Sequence, residues 1–134
     1  KLQIAALEAT LDAHLRGTAG RDVPVLRMLA LGPGELQDRS ERVARRLATV
    51  SGHPVEVIEA EGVVGGGAAP EQPLRSAIVR IAHDDAEALM GRLRVCDPPV
   101  IARILDDRVV LDLRTIPPED DERLVRVVTR ALQG

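Results

Sequence analysis

The 134 residues predict an α+β domain, with about four mostly antiparallel strands covered by helices on one face. Three observations point there. Apolar residues recur at spacings of three and four through the first fifty positions. The pattern switches to alternation at "VEVIEA" (55–60). Two apolar runs then flank Asp106-Asp107 as a hairpin would, ahead of a last amphipathic segment. The length suits one core rather than two.

Taken in order, Ile4, Leu7, Leu11 and Leu15 share one face of a first helix, which Gly17 and Gly20 should end. Asp22 is placed to cap a short second helix with Pro24 in its first turn and "VLRML" as its body. A third helix, Glu35 to about Val50, should bury Leu36, Val43 and Leu47 and expose Arg39, Arg42 and Arg46, with Ser51 and Gly52 closing it. Strands are expected at 55–60 and over "SAIVRI" up to Ile81, joined by the glycine-rich "EGVVGGGAAPEQPL". "HDDAEALMGRLRV" reads as a helix started near Asp84 or Asp85, facing the core with Ala86, Leu89 and Leu93, and stopped by Pro98 and Pro99. With a two-residue turn at Asp106-Asp107, Ile104 faces Val109, Ala102 faces Leu111 and Val100 faces Leu113 on the core surface. The last helix begins at Pro118, sets Glu119, Asp120 and Asp121 against its positive end, and buries Leu124, Val127, Val128, Ala131 and Leu132.

Composition narrows the function. The apolar fraction is 45% and holds no Phe, Tyr or Trp, so the core is aliphatic and there is no aromatic platform for bases or quaternary amines. Net charge is −3 and the arginines are dispersed, which argues against DNA as a partner and leaves any RNA contact dependent on other protein. One cysteine, Cys96, read as a buried inert thiol, allows no internal disulfide. His14, His53 and His83 lack ligand spacing, so no metal is expected. No apolar run approaches the ~20 residues of a membrane span and no signal-peptide order is visible, giving an expectation of a cytoplasmic protein. The sole lysine is Lys1, so no lysine within the fold could form a Schiff base.

Two features could carry chemistry. "VVGGGAAPEQPL" lacks the lysine and hydroxyl of a P-loop and the spacing of a dinucleotide loop, and reads as a connection between strands. Arg103, Asp112 and Arg114 fall on the face of the hairpin away from the core. The plain reading is a solvated salt-bridge patch. The sharper one is that Arg114, at the end of its strand, offers a planar fork to a carboxylate or phosphate.

"DPPVIARILDDRVVLDLRTIPPEDDERL" (97–124) and "VVGGGAAPEQPL" resemble the C-terminal end of the bacterial selenocysteine synthases, the L-seryl-tRNA(Sec) selenium transferase family. "LQIAALEATLDAHLRGTAGRDVPVLRML" resembles the segment joining that family's large and small domains. The resemblance implies a fold-type-I pyridoxal phosphate (PLP) enzyme of which residues 1–20 are the connecting helix from a large domain and 21–134 the small C-terminal domain. It further implies conversion of seryl-tRNA(Sec) to selenocysteinyl-tRNA(Sec) with selenophosphate as donor, in a homo-oligomer. The PLP lysine would lie outside this chain, and no cofactor is expected on the chain alone. Arg114, in "DLRT", matches the family's end-of-strand arginine and becomes the candidate substrate-binding residue. On the residues themselves, a stand-alone α+β ligand-binding or regulatory module, and the small domain of a related PLP-dependent lyase, stay open.

Overall fold

Local sequence sets most element boundaries in the computed structural model, which describes residues 1–62 and 74–134. Helix α1, Leu2–Leu15, ends where Gly17 takes φ +70°. The Gly17 amide then donates to His14 O and the Thr18 amide to Ala13 O, a paired C-terminal closure that only a residue tolerant of positive φ supports without strain. Gly20 does not end this helix: it lies inside a separate turn, α2, Ala19–Asp22. Helix α3, Pro24–Ala30, is capped by Val23 and not by Asp22. The Asp22 carboxylate is taken by Arg21, whose Nε donates to it at 2.7 Å. These elements make one compact unit, residues 1–32, and residues 33–134 make a second.

In the second unit, α4 (Pro33–Ser51) is followed by β1 (Val55–Gly62), β2 (Leu74–Ile81), α5 (Ala86–Val95), β3 (Arg103–Leu105), β4 (Arg108–Asp112) and α6 (Asp121–Gln133). Short 3-10 turns at Leu113–Thr115 and Pro118–Asp120 lead from β4 into α6. The sheet order is β1-β2-β4-β3 and all three pairings are antiparallel, as expected. The hairpin register is also the expected one: Ile104 pairs with Val109 across Asp106 and Asp107, whose φ values of 49° and 57° make the turn whose twist matches antiparallel strands. Strand β3 is shorter than the apolar run predicted, yet Val100 and Ala102 still reach the core.

Alternation along the strands places Val57, Val79, Ile81, Val109 and Leu111 under the helices. There they meet Val43 and Leu47 of α4, Leu89 and Leu93 of α5, and Leu124, Val127, Val128, Ala131 and Leu132 of α6. Asp85 starts α5 by accepting the Ala88 amide at 2.8 Å, and Cys96 packs half-buried at the core's edge. Ser40, fully buried on α4, donates to Ala77 O at 2.8 Å and so fixes the height of that helix over β2. On the opposite face Glu56 pairs with Arg80 at 2.9 Å, while Ile78 and Val110 are buried beside them. No helix is long and apolar enough to cross a membrane among the described residues.

Candidate functional site

Where β4 runs out, the chain tightens instead of continuing flat. Asp112 causes this: its Oδ1 accepts the Arg114 amide at 3.0 Å, the bond that turns Leu113–Thr115 into a 3-10 turn, and Thr115 Oγ1 donates back to Asp112 O at 3.0 Å. The same Oδ1 accepts from Ser76 Oγ on β2 at 2.9 Å, which tethers the turn to the neighbouring strand. Arg114 is therefore not on the strand but on a turn held from two sides. Its Nη2 donates to Arg75 O at 2.6 Å, and the residue is only 8% exposed.

The three residues singled out from the sequence thus separate. Asp112 and Arg114 belong to one hydrogen-bonded turn. Arg103 pairs with Val110 on the edge strand and is exposed, and among the described residues no ion pair joins it to Asp112. A solvated patch of three charges is not what forms, because local backbone bonds claim Asp112 before Arg103 can. The glycine-rich connection, including Gly65, Gly66 and Gly67, lies outside the described residues.

A second charged group reaches the same turn from the helix side. Arg39, expected on the outer face of α4, is 3% exposed. Its Nε donates to both oxygens of Asp121 at 2.9 and 3.1 Å, Nη1 to Leu113 O at 2.8 Å, and Nη2 to Asp121 Oδ1 at 2.5 Å and to Ile116 O at 2.9 Å. The signal was present in the spacing: position 39 is three after Leu36 and four before Val43, on the buried stripe itself. A guanidinium can occupy such a position only with its donors and charge matched, which Asp121 and two carbonyls do. Ser76 carried no comparable signal, since nothing in "SAIVRI" marks a serine that will meet Asp112 from a strand 36 residues away.

Among the described residues, a hollow of about 710 Å³ opens near the start of α4, lined by Gln37, Glu59, Glu61, Arg75 and Ser76. Its walls carry both signs of charge. The described residues include no cluster of three or more His, Cys, Asp and Glu able to hold a metal ion. The only lysine is Lys1, exposed at the start of α1, so no lysine within the packed elements could form a Schiff base with PLP.

Over residues 1–117 the chain matches the family model described as "SelA: L-seryl-tRNA selenium transferase". Among relatives, the L-seryl-tRNA(Sec) selenium transferase of Moorella thermoacetica is 37% identical, aligned over 100% of this chain and 30% of the relative. That of Aquifex aeolicus is 33% identical over 99% of this chain and 29% of its own length. That of Nitratidesulfovibrio vulgaris is 39% identical over 100% and 29%. The chain spans about 30% of the length of the relatives it matches.

Proposed function

Since the chain belongs to the L-seryl-tRNA selenium transferase family, we propose that it is the C-terminal α+β portion of a longer selenium transferase that converts seryl-tRNA(Sec) to selenocysteinyl-tRNA(Sec). The observation that carries this reading is the match along the whole chain to relatives bearing that name. In the longer protein, PLP supplies the electron sink and selenophosphate the selenium, both bound by residues outside this chain. The protein works in the cytoplasm as a homo-oligomer.

Residues 1–20 serve as the connection to the larger domain, and residues 21–134 as the small domain. Helix α1 supports this. Ile4, Leu7 and Leu11 are 71%, 59% and 54% exposed, an apolar stripe of the kind a soluble domain covers with further protein. Within the small domain we assign Arg114 to face the substrate. Its support is the rigid turn that carries it and the chemistry of a guanidinium, a planar donor for acyl or phosphate oxygens.

The test is reconstitution of the full-length protein with PLP, seryl-tRNA(Sec) and selenophosphate. Selenium should appear in the aminoacyl ester. Arg114→Ala should lower that product about 10- to 100-fold in kcat/KM, the range for losing a charged hydrogen bond to substrate, with the domain still folded at the assay temperature. Absence of selenocysteinyl-tRNA from the wild type sinks the assignment, and full turnover in Arg114→Ala sinks the role of that residue.

A further inference from the structure

Arg39 spends an enclosed charge on an unusual target. If holding α4 against α6 were its whole task, two aliphatic side chains would serve without removing a guanidinium and a carboxylate from water. The fork does more than meet Asp121, however. Nε and Nη2 grip the carboxylate, while Nη1 goes to the Leu113 carbonyl and Nη2 also to that of Ile116, and these two carbonyls bracket Arg114 and Thr115 in the chain. From the other side Asp112 binds the Arg114 amide and Ser76. The turn bearing Arg114 is thereby clamped at both ends, by an acceptor on the strand and by a donor from the helix.

We propose that Arg39, braced by Asp121, is a positioning residue that sets the orientation in which Arg114 is presented to substrate. The inference rests on the substrate-facing reading of Arg114 and adds a residue that touches no substrate itself. Lysine cannot replace it, because one ammonium group on a flexible stem cannot reach a carboxylate and two separate carbonyls together. Arg39→Lys keeps the charge opposite Asp121 and releases the turn.

In the full-length protein, Arg39→Lys is expected to raise KM for seryl-tRNA(Sec) on the order of tenfold, through misplacement of Arg114, with the domain still folded. The decisive comparison is the double variant Arg39→Lys/Arg114→Ala. A residue acting only through Arg114 adds nothing once Arg114 is gone, so KM should equal that of Arg114→Ala. Effects that multiply, or a wild-type KM in Arg39→Lys, overturn the proposal. An unchanged kcat/KM in Arg114→Ala overturns the reading beneath it, and the positioning role falls with it. Where Arg39→Lys does not fold, Asp121→Asn, which keeps the shape and removes the charge orienting Arg39, replaces it in the same cycle.

Discussion

Asp121 and Arg39 show what one enclosed ion pair demands. Arg39 is buried and Asp121 partly exposed, so Arg39→Ala leaves the Leu113 and Ile116 carbonyls without their donor more than it strands a charge, and is expected to destabilise the domain by roughly 1–3 kcal/mol, read from the midpoint of denaturant unfolding. Surface charges behave differently. The Asp22 carboxyl is held down to about 2, first by the hydrogen bond from Arg21 and then by that from Thr18, with burial opposing. Its folded value lies below its usual 3.8, so the stabilisation it gives is present above that value and is lost as pH falls toward about 2. Carboxyl NMR should show Asp22 titrating in that window, and Arg21→Ala should move it back up.

Between elements, the exposed pair Arg46 and Glu122 joins α4 to α6 across solvent. The hydrogen bond from Arg46, followed by its charge, lowers the Glu122 carboxyl below its usual 4.5. That contribution is intact above 4.5 and fades as pH drops through the lower folded value. Screening should weaken it too, so raised salt is expected to return the Glu122 titration toward 4.5. The β3–β4 hairpin offers a gain instead of a loss. Asp106 and Asp107 both hold positive φ, where Asn-Gly is the favoured pair, so Asp106→Asn with Asp107→Gly should stabilise the domain by roughly 1 kcal/mol in thermal unfolding.

At the level of the intact protein, α1 is the element whose sequence makes least sense for the 134 residues taken alone. Its apolar side chains at 4, 7 and 11 stand in solvent, so replacing all three by Gln should leave unfolding of this chain within about 0.5 kcal/mol of the parent. The same replacements in the longer protein should lower its unfolding temperature if α1 is the connection to a larger domain. Equal melting curves for the two full-length proteins would remove that assignment. The chain alone, mixed with PLP, should give no saturable visible band, since Lys1 is the only lysine and lies outside the packed core.

Periodicity and turn chemistry made the α+β architecture readable: the helical stripes of α4 and α6, the alternation of β1 and the Asp-Asp turn are short-range properties, fixed by which residues are three, four or two apart. The family resemblance was readable in the same way, because "DLRT" and its surroundings are contiguous. The candidate site was readable only in part. Arg114 could be picked out as a guanidinium near the end of a strand, but its burial, and the loss of Arg103 from its company, followed from Asp112 spending its carboxylate on a local amide and on Ser76. Arg39 was misplaced for a related reason. Its partner Asp121 lies 82 positions away, and a charged residue on a buried stripe stays there only when the fold supplies its counter-charge and acceptors. Local pattern fixes faces. Long-range pairing decides which polar groups those faces can afford to enclose.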